Sequence, residues 1–233
     1  MSELKLVSFS LYGTDQKYFR GAIMNGYLVQ ELYPGWVMRV YCTDDADKKT
    51  ITKLKRLGCQ IEYMGVSHDQ SGMLWRFLPA WEPGVERVIF RDTDSRITPR
   101  EVAAVNAWVK SGKVAHVMQD HHHHGRLPIC GGMWGVVGEF LPNMTHLWAR
   151  FMSDMQRRVT DMKLMKAHVW PHIKHDTLRH SSVPTSYGDS FPFPSHASCL
   201  GFVGQQLNAD DSCVWPKVDL GVSREYLDRQ EPR

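Results

Sequence analysis

The 233 residues contain no CxxC pair, no internal repeat, no long block of lysine and arginine, and no unbroken apolar run of ~18 residues. Each absence closes off a class of protein. The five cysteines (Cys42, Cys59, Cys130, Cys199 and Cys213) are odd in number and widely spaced, which reads as reduced thiols rather than a disulfide framework. A net charge of only +3 without a dominant basic stretch makes nucleic acid a poor partner. Met1 to Lys5 lead straight into a strand-like pattern with no apolar leader, so the expectation is a soluble, cytoplasmic protein without a membrane span. What remains is ordinary: 42% hydrophobic and 23% charged residues suffice for a core without cross-links, at a length that suits one α/β domain. The twelve histidines are the exception.

The first half alternates between two periods. Leu6–Leu11 reads as a buried strand, followed by helical spacing with Tyr18, Phe19, Ala22, Ile23 and Tyr27 on one face. Trp36–Tyr41 is a second strand, Lys48–Leu57 a short helix closed by Gly58, and Gln60–Met64 a third strand. This β-α-β-α-β series predicts a mostly parallel sheet covered by helices. Residues 71–80 look helical. Thr98-Pro99-Arg100-Glu101 is a helix start with a capping box, and Lys113–Met118 reads as another strand. Two helices are expected near 143–157 and 160–170, and from Pro171 onward the chain shows little periodicity.

Between these elements lies Val88-Ile89-Phe90-Arg91-Asp92-Thr93-Asp94, an apolar run ending in two carboxylates at i, i+2. In extended backbone both would point to one side, where the strand leaves the core. Two hard oxygen ligands can hold a divalent cation, which completes its shell with phosphate oxygens and water. In open α/β sheets ligands bind outside the carboxyl ends of strands, which is where this pair falls. Arg76, just before that strand, is a candidate second cation for a diphosphate, because guanidinium binds phosphate oxygens bidentately. Gly132 allows close backbone approach, with Met133 beside it, and Trp134 offers a flat apolar face to a ligand. The run His121–His124 reads as a polar loop at the rim of a site. Neighbouring side chains diverge, so all four cannot bind one ion.

Leu6-Val7-Ser8-Phe9-Ser10-Leu11-Tyr12-Gly13, Arg91-Asp92-Thr93-Asp94-Ser95-Arg96, Gly132-Met133-Trp134-Gly135 and Gly201-Phe202-Val203-Gly204-Gln205, in that order, resemble small GT-A glycosyltransferases of bacteria and large algal viruses. The resemblance implies a single GT-A-like, Rossmann-like domain, with residues 1–118 as the nucleotide-binding half and 119–233 as the acceptor and sugar half. It implies a metal-dependent hexosyltransferase moving sugar from a nucleoside-diphosphate donor, UDP-linked, to a hydroxyl of a glycan acceptor. Asp92 and Asp94 would hold the ion, Mn²⁺ or Mg²⁺, with His180 as a third ligand and His172 and His175 as nearby rivals for that place. Leu11, Tyr12, Gly13, Asp44, Arg76 and Thr93 would receive the nucleotide, with Tyr12 stacking on the base. Gly132, Met133, Trp134, His121 and His124 would face sugar and acceptor. Asp161 would lie near the reacting carbon, with Arg76 assisting the leaving group. The chain departs from the family where Asp161-Met162 replaces an Asp-Gln pair and His180-Ser181-Ser182 replaces His-Asp-Ser. Two other readings stay open: a nucleotide-sugar-binding module without turnover, and a DxD phosphatase of the haloacid-dehalogenase type, in which the first Asp is the nucleophile.

Overall fold

Residues 4–65, 70–142, 160–195 and 201–214 are described by a computed structural model. Strand β1 (Leu4–Leu11) starts the sheet and is buried from Leu6 onward. Helix α1 (Gln16–Leu32) follows, with the Asp15 carboxylate accepting from the Lys17 amide at 3.0 Å. Its core face carries Phe19, Ala22, Asn25, Gly26 and Val29, while Tyr27 turns to solvent. The apolar stripe therefore runs along the Ala22, Gly26 and Val29 spacing, and the expected place of Tyr27 on it was wrong. Next come β2 (Trp36–Cys42), α2 (Lys48–Arg56) and β3 (Gln60–Tyr63). The stretch from Gln70 to Trp81 is helical in the tighter 3₁₀ form and contains Pro79, which has no amide hydrogen to donate.

Strand β4 (Val85–Phe90) leads to helix α3 (Pro99–Ser111). Thr98 caps α3 by accepting from the Glu101 amide at 3.2 Å, and Gly112 ends it in the left-handed region at φ 70°. The capping box is only half formed, because the Glu101 carboxylate pairs instead with buried Arg91 at 2.5 Å. Strands β5 (Ala115–Gln119), β6 (Trp134–Val137) and β7 (Thr177–Ser181) complete the sheet. Before β7 the chain is helical over Thr160–Leu164, widens to π geometry over Met165–Val169, and returns to α over Trp170–Ile173. The helix expected near 143–157 lies outside the described residues.

The seven strands run in the order β3-β2-β1-β4-β6-β5-β7, and every adjacent pair is parallel except the two that involve β6. Side chains alternate along each strand, so two apolar layers form. Leu6, Val88 and Phe90 join Phe77, Trp134 and Val169 on one face. Phe9, Leu11 and Ile89 join Phe19, Val105 and Trp108 on the other. From β1 the chain steps outward to β2 and β3, then returns to the opposite side of β1 as β4. That reversal opens a crevice at the carboxyl ends of β1 and β4.

Candidate active site

A cavity of about 620 Å³ lies at this crevice and is lined by Tyr12, Arg76, Asp92, Thr93, Asp94, His121, His124, Gly132, Met133 and Asp161 among others. The size is ordinary for a small-molecule site. Helix α1 supports its floor. Gly21 passes so close to the Thr93 carbonyl that no Cβ could fit between them. Asn25 donates to the Ser95 carbonyl at 2.9 Å and accepts from the Ile97 amide at 3.1 Å, pinning the loop after β4 to the helix.

Both carboxylates lie beyond the end of the strand. β4 ends at Phe90, and Asp92–Ser95 is a turn in which the Ser95 hydroxyl donates to the Asp92 carbonyl at 2.9 Å. Both acids reach the cavity through this turn rather than through strand alternation. Asp94 is deeply set, 3% exposed, with Lys17 Nζ 4.0 Å away. Burial first, and then the Asp92 charge, push its carboxyl up to about 6. The Asp92 side chain is 46% exposed. One of its oxygens meets Arg76 Nη1, and the other lies against Gly132 where any Cβ would stand. What comes close to this glycine is the carboxylate.

Arg76 is the hub. Its backbone is fixed to β1: the Ser8 hydroxyl donates to its carbonyl at 2.7 Å, and its amide donates to Ser10 Oγ at 3.0 Å. Its buried guanidinium donates to Asp92 and, at 3.2 Å, to Asp161 Oδ2, while its Nε has no partner among the described residues. Asp161 accepts from the Met162 amide at 2.7 Å, and burial raises its carboxyl above the usual range. Residues 76, 92 and 161, far apart in the chain, thus form one acid–base–acid array.

Other expected residues stand elsewhere. The Leu11 side chain is fully buried in the core, so only its backbone reaches the strand end. Gly13 turns the chain at φ 76° with open space beside it, and it does not line the cavity. Asp44 accepts from the Gly65 amide at 3.1 Å, tying the ends of β2 and β3 together away from the cavity. Trp134 is no sugar platform: it is 1% exposed and packs on Phe90 with ring centres 4.4 Å apart. His180 is corrected too. It is buried beside His116, with Nδ1 2.8 Å from His116 Nε2, and it packs on Phe193 rather than on the carboxylates.

The histidine run also differs from expectation. A tight turn, closed by the His124 amide on the His121 carbonyl at 2.8 Å, gathers the imidazoles instead of splaying them. Ring centres of His121 and His122, and of His122 and His123, are 4.0 Å apart. His121 stacks on Phe202, and burial pushes the His124 imidazole down to about 4.

Sequence reasoning missed Ser10, Tyr18, Met73, Cys130, Phe202 and Gln206, all of which line the cavity. For Ser10 a signal existed: Ser8 and Ser10, at i, i+2 on an otherwise apolar strand, mark a face that must hydrogen-bond something. For Met73 and Gln206 the letters alone carry none.

Among the described residues, no helix is long and apolar enough to cross a membrane. No protein-family model matches the chain, and no curated protein is similar to it in sequence. Solved structures do overlap its backbone. One is a 4-diphosphocytidyl-2C-methyl-D-erythritol synthase from Anaerococcus prevotii, 10% identical, covering 70% of this chain and 83% of that one at a TM-score of 0.46. A glycosyltransferase involved in glycosylation of the major capsid of PBCV-1 is 14% identical, covering 76% and 81% at 0.45. A glucosyl-3-phosphoglycerate synthase from Mycobacterium tuberculosis, in complex with Mn²⁺, UDP-glucose and phosphoglyceric acid, is 16% identical, covering 60% and 58% at 0.41.

Proposed function

We propose that this chain is a metal-dependent glycosyltransferase that moves a hexose from a uridine-diphosphate sugar to a hydroxyl of a glycan acceptor. The observation that carries the reading is the meeting of Asp92, Asp94 and Arg76 in one cavity at the point where the strand order reverses.

The donor set suits a hard divalent ion. Two carboxylates line the same cavity, and the charges near the deeper one, Lys17 at 4.0 Å and the Arg76 guanidinium, do not offset its burial. Asp92 and Asp94 would hold Mn²⁺ or Mg²⁺, which when bound acts as a Lewis acid on the diphosphate as the sugar–oxygen bond breaks. Arg76 contributes a fixed positive charge beside the leaving phosphates. Asp161, held by the other arm of the same guanidinium, is the carboxylate available at the reacting carbon or to the acceptor proton. Tyr12 lines the cavity at the end of β1 and offers its ring to the base. His121, His124 and Met133 give the sugar and acceptor a mixed polar and apolar wall.

The test is a thermal-shift panel of UDP-, GDP-, dTDP- and CMP-hexoses with and without Mn²⁺, followed by assay of nucleoside diphosphate release. The expected outcome is stabilisation by a UDP-hexose that requires the ion and is lost in Asp92→Asn and Asp94→Asn. Release of inorganic phosphate from simple monoesters, with no nucleotide-sugar response, would overturn the reading in favour of a phosphatase. Ion-dependent binding without any UDP release would reduce the protein to a binding module.

A further inference from the structure

We infer that His121, His122 and His123 form a second cation site, specific for a divalent transition metal such as Zn²⁺ and separate from the carboxylate pair. One ring nitrogen from each imidazole lies within 4.8 Å of the other two. Around a tetrahedral ion with metal–nitrogen bonds near 2.0–2.1 Å, ligand nitrogens stand about 3.4 Å apart. The cluster is thus slightly open, and rotation of the exposed His123 ring can close it.

A second feature points to a ligand. His121 is 6% exposed, yet its Nε2 has no hydrogen-bond partner among the described residues. Leaving such a buried atom unpaired is unfavourable. Its Nδ1 is already occupied, accepting from the His123 amide at 3.4 Å, so Nε2 is the nitrogen left for an ion. Binding there requires the ring proton to leave or to move to Nδ1, at the expense of that long contact. Stacking on Phe202 holds the ring in place, with centres 4.4 Å apart.

The chemistry selects the ion class. Three neutral imidazoles suit Zn²⁺, Ni²⁺, Co²⁺ or Cu²⁺, whereas Mg²⁺ prefers carboxylate and water oxygens. Three protein ligands leave a fourth position open. His121 and His123 both line the cavity, so that position is accessible to water or to a hydroxyl of a bound molecule.

Zn²⁺ titrated calorimetrically into the full chain, in the presence of excess Mg²⁺, should bind one equivalent with micromolar or tighter affinity. The double variant His122→Ala/His123→Ala should weaken this at least thirtyfold, while Asp92→Asn/Asp94→Asn should keep it within threefold. Co²⁺ should give the intense visible absorption of a tetrahedral nitrogen-ligated site in the wild type, and that absorption should vanish in the histidine variant. Wild-type Zn²⁺ affinity in the histidine variant, loss of binding in the aspartate variant, or no binding by the wild type would each overturn the proposal. None of these outcomes depends on sugar transfer, so the assignment stands or falls apart from the proposed activity.

Discussion

Asp94 carries its charge at a cost: at 3% exposure and beside another carboxylate, its ionised form is disfavoured relative to a solvated carboxylate. Asp92 is held differently, with Arg76 on one oxygen and the bare backbone of Gly132 beside the other. A single methyl group at position 132 has nowhere to go unless Asp92 moves. Gly132→Ala should therefore weaken Mn²⁺-dependent binding of a UDP-hexose at least tenfold, measured by calorimetry, while the melting temperature falls by only a few degrees. Unchanged affinity would mean that the position of Asp92 is immaterial to the ion. At this scale the sequence was informative about residue type and less so about neighbours. Asp92, Asp94 and Arg76 could be named from spacing and charge. That Arg76 bridges to Asp161, and that Trp134 faces the core, depends on how β6 inserts beside β4, which no local pattern records.

The strand pair β5 and β7 carries a buried imidazole contact. His116 and His180 touch at 2.8 Å inside the sheet, and burial drives His116 well below its usual range and His180 down to about 4. Above pH ~6.5 neither the native nor the unfolded chain protonates these rings, so stability does not vary with pH on their account. Between pH ~6.5 and 4 the unfolded chain takes up protons that the native state refuses, so stability falls as pH falls. His180 alone accounts for about 3 kcal/mol over that window. In urea titrations at successive pH values, His180→Gln should flatten this decline by a comparable amount. An equally steep decline in the variant would place the acid sensitivity elsewhere. β7 was also the strand that periodicity failed to reveal. Its letters, Thr-Leu-Arg-His-Ser, read as a polar loop, yet Arg179 is buried and satisfied by Gln119 at 3.1 Å and by the Tyr187 carbonyl at 3.0 Å. A strand whose polar groups are all paired internally lacks the apolar signal that pattern reading relies on.

Across the whole molecule, the first half was legible because β1 to β4 are apolar runs separated by well-signalled helices, which forces a parallel sheet. The second half was not, because β6 enters antiparallel between β4 and β5. The segment 201–214 returns over the site: the Leu207 amide donates to the Asp94 carbonyl at 2.7 Å, and the Asp211 carboxylate accepts from Arg20 at 2.8 Å and Arg96 at 2.7 Å. The cavity is therefore assembled from both halves, and its central pair of acids comes from the half that could be read. The account turns on a divalent ion between those acids and a nucleotide diphosphate. Anomalous X-ray scattering at the manganese edge, from crystals grown with Mn²⁺ and a UDP-hexose, tests it most directly. The account predicts one strong peak within coordination distance of Asp92, Asp94 and the phosphate oxygens. Nucleotide bound with no peak there, and with Asp92 still on Arg76, would contradict it.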